Sequence, residues 1–202
     1  MNDPLEAARA ELRRRQGAGA RYDAATAPAR TLAWARQGTA FFARLLNGLD
    51  DGDLDAPSAI PGVTRRQLVA HVGYHARALS GIAAWARGGA AGPMPGRAAV
   101  DPDDVSRKAS QPARALRHLF AHSAIHLDVE WRDLEAPQWE RAVEDAAGRR
   151  IALAETPWLR ARALWRHGLD LRAGGRLADA PPGLAEALAR DRPAPSPALL
   201  DL

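Results

Sequence analysis

The 202-residue chain contains no cysteine at all. That absence excludes a disulfide scaffold, a thiolate nucleophile, a zinc ribbon and an iron–sulfur cluster, so any sulfur chemistry must use a thiol brought from outside. Lysine is nearly missing too: of 28 basic residues only Lys108 is not arginine. Aromatic residues make up 5% of the chain, and six of them are tryptophan. No apolar run approaches the ~18 residues that a membrane span requires. Met1 to Ala20 is charged throughout and lacks an apolar stretch. A signal peptide is therefore not expected, and the sequence reads as soluble and cytoplasmic. The formal net charge of +4 is spread along the chain rather than clustered. Nucleic-acid binding is not expected, because a binding footprint is a concentrated basic patch.

The sequence is organised by helical punctuation. Pro28 stands at a first-turn position ahead of a periodic run through Leu32, Ala35, Phe42, Leu45 and Leu49. Asp50 to Gly62 is a loop rich in Asp, Pro and Gly. Thr64 and Gln67 form a capping box for a second helix that runs to about Arg87. Gly88 to Pro102 reads as a second long loop, and Pro112 opens a third helix that continues through Trp131. Arg141–Val143 and Ile151–Leu153 flank Gly148 and can pair as a hairpin within 139–155. Thr156-Pro157 opens a fourth helix to about Leu171, and a short helix follows Pro181-Pro182. The fold class is mainly all-α: a four-helix bundle, residues 25–192, with an N-terminal arm (1–24) and a Pro-rich tail (193–202).

Two groups of histidines share one spacing. His71 and His75 lie four residues apart on the second helix, and His118, His122 and His126 form a stripe on the third. Imidazoles at i and i+4 stand one turn apart on one face and can reach one cation. A helix-surface stripe of histidines is, however, more often solvated than metal-bound. Composition and spacing alone reach a soluble helical bundle with a His-rich metal site as one reading.

Two blocks then carry a resemblance. Ser58-Ala59-Ile60-Pro61-Gly62-Val63-Thr64, leading into the helix with His71, resembles the signature of the maleylpyruvate isomerase N-terminal domain family. That family is the mycothiol-dependent branch of the DinB-like superfamily. Trp85 with Gly88-Gly89, followed by Pro93-Met94, looks like the family's helix end and Pro-Met loop. Arg160-Ala161-Arg162-Ala163-Leu164-Trp165-Arg166-His167, with Asp170-Leu171 after it, resembles the family's Arg-x-Arg-Glu-x-x-x-His-x-x-Asp-Leu helix. The resemblance runs over about residues 25–192.

It implies a DinB-like four-helix bundle holding one divalent metal, usually zinc, on two histidines and a glutamate. It also implies a low-molecular-weight thiol (mycothiol, glutathione or ergothioneine) that adds to maleylpyruvate and leaves it as fumarylpyruvate. Carried over residue by residue, the ligands are His71 and His167, but Ala163 stands where the family has Glu. His75 is the candidate to complete a three-His site, with Asp101 or a third-helix histidine as alternatives. The family's substrate-holding Arg reads onto Asp101, and Arg97 is the candidate to supply the displaced guanidinium to a dicarboxylate. The alternatives are another thiol S-transferase on the same scaffold, or a metal-free DinB-like binding protein.

Overall fold

In a computed structural model of the chain, residues 22–89, 94 and 100–191 are described, with positions 4, 7, 8, 10 and 11 of the N-terminal segment. Six helices and one hairpin make up the elements used here: α1 (Ala29–Asn47), α2 (Arg65–Arg87), α3 (Pro102–Ala109), α4 (Ala113–Arg132), β1 (Ala142–Glu144), β2 (Arg150–Ala152), α5 (Thr156–Asp170) and α6 (Leu184–Arg190). The fold is the expected mainly α bundle, built from α1, α2, α4 and α5. No described helix is long and apolar enough to cross a membrane.

Local chemistry sets the helix starts. The α2 capping box is complete: the Thr64 side chain accepts from the Gln67 backbone N–H at 3.3 Å, and the Gln67 side chain accepts from Thr64 N–H at 2.9 Å. Each satisfies an otherwise orphaned donor at the helix start. The loop before it is equally specific. Ser58 is buried, its Oγ accepts from Ile60 N–H at 3.1 Å, and Ala59 N–H donates to the Asp170 carbonyl at 2.8 Å. Arg65 adds bonds to the carbonyls of Leu171 and Arg172. The start of α2 is thereby laced to the end of α5, which places His71 opposite His167.

Helix α1 packs along α5 and α2 packs along α4, while α1 and α4 touch each other least among these neighbours. Glycines allow the close pairs. A Cβ on Gly73 would come within 2.6 Å of Leu119, and one on Gly168 within 2.4 Å of Phe41. The core is continuous across the bundle, with Leu32, Phe42, Leu68, Leu79, Leu116, Leu127 and Leu164 all buried. Two indoles bridge elements by hydrogen bonds: Trp131 to Thr156 Oγ1 and Trp165 to the Trp34 carbonyl, both at 3.2 Å.

The hairpin forms as the sequence suggests. Ala142 pairs with Ala152, Val143 with Ile151 and Glu144 with Arg150, antiparallel, around Gly148 at φ 77°. A short helix, α3, forms where the sequence reading has none. Asp101 caps it, its carboxylate accepting from Asp103 N–H at 2.8 Å, with Pro102 in the first turn. An eight-residue helix with two buried side chains, Val105 and Ala109, leaves little apolar periodicity to read.

Candidate active site

Four polar side chains are buried where α2 faces α5. His71 and His75 descend from α2; Arg160 and His167 come from α5. All four are at most 3% exposed. The periodicity explains this: Leu68, Val72 and Leu79 share the inward face of α2 with His71 and His75, and Ala163 and Leu164 lie between Arg160 and His167 on α5.

The structure brings His71 and His167 together. Their ring centroids are 5.1 Å apart with planes at 80°. His75 stacks parallel to His71 at 4°, with centroids 6.4 Å apart. Among the described residues several ring nitrogens lack any hydrogen-bond partner: Nδ1 and Nε2 of His71, Nδ1 of His75 and Nε2 of His167. His167 Nδ1 lies 3.3 Å from Asp170 Oδ2. An Nδ1–H donated to that carboxylate leaves the Nε2 lone pair aimed away from Asp170 and free to bind.

Electrostatics keep the α2 histidines neutral. Burial, then His167 and Arg160, push His71 down to about 3. Burial, with Arg160 next, holds His75 well below the ordinary histidine range. Both imidazoles are lone-pair donors at neutral pH. Arg160 is the cation of the group. Burial pushes it down to about 9, which leaves it charged at neutral pH. Its Nη1 donates to the Val72 carbonyl at 2.6 Å, and its Nη2 has no partner.

These donors fit a divalent metal in part. Two imidazoles on one tetrahedral ion, each bound at about 2.0–2.1 Å, put their centroids roughly 5 Å apart. The His71–His167 pair meets that spacing. A third protein donor is not gathered with them: among the described residues no three His, Asp or Glu side chains converge closely enough to hold an ion. Ala163, buried between Arg160 and His167, offers none. His75 lies parallel to His71, its ring centroid 6.4 Å away. Asp101, the other acidic candidate, is exposed and engaged as the α3 cap.

The remaining expectations divide. Arg97 lies outside the described residues, as does most of the 88–102 loop; Met94 packs against the core and Val100 is buried. His118, His122 and His126 form an exposed ladder on α4, their adjacent ring centroids 5.7 and 6.4 Å apart. They stand apart from the buried group. His126 Nε2 lies 3.3 Å from Glu130, which is itself held by Arg87.

Arg160 is the site residue that the sequence reading missed. It stands in the block that carries the family resemblance, beside Arg162 and Arg166, with no role assigned there; those two reach Asp191 at the bundle's edge. The signal was its register: position 160 lies seven residues before His167, two turns away on the same face. Arg160 also borders a cleft of about 650 Å³ between α1 and α4, walled by Ala35, Thr39, Phe120, Leu127 and Trp131.

Fold and site together define a class: a DinB-like helical bundle whose core holds a pair of buried imidazoles from two facing helices. Within that class the chain is placed by comparison. Residues 35–172 match the model of the mycothiol maleylpyruvate isomerase N-terminal domain, and the chain belongs to that family. Two solved structures resemble it at 34% identity and a TM-score of 0.72, a mycothiol-dependent maleylpyruvate isomerase and a histidine-to-alanine mutant of it. Each match covers 81% of this chain and 66% of the other, so the chain spans just under two thirds of those relatives' length. No curated protein sequence matches it.

Proposed function

We propose that the protein is a thiol-dependent cis–trans isomerase that converts maleylpyruvate to fumarylpyruvate. One observation carries this reading: in a member of this family, the two histidines that match the family's ligands stand buried and adjacent, the Nε2 of each lacking a partner among the described residues. Mycothiol is the first choice of thiol, after the family, with glutathione and ergothioneine as the alternatives.

The chemistry requires a thiolate and a dry site. The thiolate sulfur bonds to one carbon of the cis double bond, and the π pair moves into the conjugated carbonyl as an enolate. The former double bond is now single and rotates. The enolate pair then returns, the C–S bond breaks, and the thiolate leaves with the trans product. No proton or electron is consumed overall. A divalent metal bound at His71 and His167 would lower the thiol pKa enough to give thiolate at neutral pH. His75, stacked one turn from His71, is the protein's remaining candidate for a third ligand. The chain's own contribution is to keep the His71 and His75 imidazoles neutral, to orient His167 through Asp170 and to shield the reacting sulfur from water.

Ala163 supports a second reading, a metal-free binding protein on the same bundle. Metal content separates the two. The isomerase reading predicts about one equivalent of zinc after purification with added zinc, lost in His71→Ala and in His167→Ala. A protein that stays metal-free under those conditions, and turns over no maleylpyruvate with any of the three thiols, is the binding protein instead.

A further inference from the structure

We propose that Arg160 is the carboxylate receptor of this site, and that a carboxylate of the bound ligand takes the place that an acidic side chain at position 163 would otherwise fill. A buried charge here lacks a counter-ion among the described residues. Arg160 is 1% exposed, and among the described residues no carboxylate lies within ion-pair distance of it. Its one hydrogen bond, from Nη1 to the Val72 carbonyl, could be made by a neutral donor. Burying a guanidinium for that bond alone is costly, because the desolvation of the charge is not recovered.

The cleft singles out the same residue. Three arginines border it. Arg36 is held at 2.7 Å by both Asp23 and Asp128, and Arg132 is held at 3.0 Å by Asp133. Arg160 is the cleft arginine with no acidic partner among the described residues. It lies where the bundle is loosest, under the α1–α4 seam, so a ligand can reach it with little disruption of the better-packed helix pairs. Walls of Ala35, Phe120, Leu127 and Trp131 suit a flat, unsaturated carbon skeleton behind the carboxylate.

Helix geometry connects this vacancy to position 163. On α5, a side chain at 163 is three residues from Arg160 and four from His167, within reach of both. An acidic residue there would neutralise the guanidinium internally. Alanine leaves Nη2 free to bind an external carboxylate beside the imidazole pair. The fork of a guanidinium matches the two oxygens of a carboxylate.

The inference deepens the isomerase reading and rests on it for the natural ligand, but its test uses binding alone. Maleate, a cis dicarboxylate that lacks the ketone, is titrated into the full chain by calorimetry, at constant ionic strength and with chelator present. A parallel thermal melt reads stability. Wild type binds maleate and melts higher with it. Arg160→Met folds, melts at the wild-type temperature or above, and binds maleate roughly tenfold or more weakly, the loss expected for a charge-assisted pair. Arg160→Lys retains part of the affinity. Ala163→Glu keeps Arg160 in place yet weakens maleate by a similar factor, so the idea stays testable if the methionine variant does not fold.

Unchanged maleate affinity in Arg160→Met or in Ala163→Glu overturns the assignment, as does a wild type that binds no maleate. Arg160-dependent binding without any maleylpyruvate turnover keeps the receptor and removes the isomerase reading. Turnover with Arg160-independent maleate binding does the reverse.

Discussion

The protein carries two sets of histidines at one spacing, and the bundle treats them oppositely. His71 and His75 on α2 are buried to within 3% of complete, whereas His118, His122 and His126 on α4 face solvent. An interval of four residues makes imidazoles neighbours in either case. What decides their chemistry is the rest of the face. On α2 that face also carries Leu68, Val72 and Leu79, so the rings are drawn into the core and lose their water. On α4 the buried apolar positions include Leu116, Leu119, Phe120, Leu127 and Trp131, out of register with the histidines, and only Glu130, which His126 meets, continues their row. A desolvated imidazole is neutral with its lone pair unspent; a solvated one has water as a partner.

The largest expected effect breaks the comparison at its functional end. His71→Ala or His167→Ala lowers kcat/KM for maleylpyruvate isomerisation roughly a hundredfold or more, because each removes a principal donor. His118→Ala and His122→Ala leave it unchanged. A steady-state absorbance assay on the four variants checks this, and equal losses from both sets would erase the distinction.

The next effect concerns pH. In chelator-treated protein the neutral forms of His71 and His75 stabilise the fold fully above the unfolded histidine value of 6.5. The folded values are depressed, so the unfolded chain binds more protons and stability falls as pH drops below 6.5, toward about 3 for His71. Between pH 6.5 and 5 the loss from His71 approaches about 2 kcal/mol, and His75 adds to it in the same direction. Denaturant melts across that window report the slope, and His71→Gln flattens it. A slope that survives in His71→Gln, His75→Gln double-variant protein assigns the pH dependence elsewhere.

A gain of function sharpens the same contrast. Ala163→Glu places a carboxylate one turn from His167 and raises zinc affinity roughly tenfold or more, measured by competition with a chromogenic chelator. No increase would mean that position 163 does not face the ion. The smallest effect is on the outer stripe: His122→Ala changes unfolding free energy by no more than about 0.5 kcal/mol, as exposed positions generally do.

Much of the architecture was legible because its signals are local. The Thr64/Gln67 capping box marked the start of α2, Pro28 and Pro112 marked α1 and α4, and Gly148 marked the hairpin turn. The α3 helix was not, because two buried residues in eight give no period to detect. In the site, His71 and His167 were found through the family pattern, and their adjacency depends on long-range bonds such as Arg65 to Leu171 and Ala59 to Asp170. Arg160 escaped notice because a short sequence window weighs Arg160, Arg162 and Arg166 alike. Only packing shows that one enters the core while the other two turn to Asp191. That no three such side chains gather to hold an ion among the described residues is likewise a matter of packing, which spacing does not encode.

The central claim is that the buried imidazole pair forms the reacting centre of a thiol-dependent isomerase. Its most direct test is conversion of maleylpyruvate to fumarylpyruvate by the purified chain, run with mycothiol, glutathione, ergothioneine and no thiol, alongside His71→Ala. The account predicts turnover with at least one thiol, none above background without it, and loss in the variant. No turnover with any of the three thiols, or turnover that needs neither thiol nor His71, would contradict it.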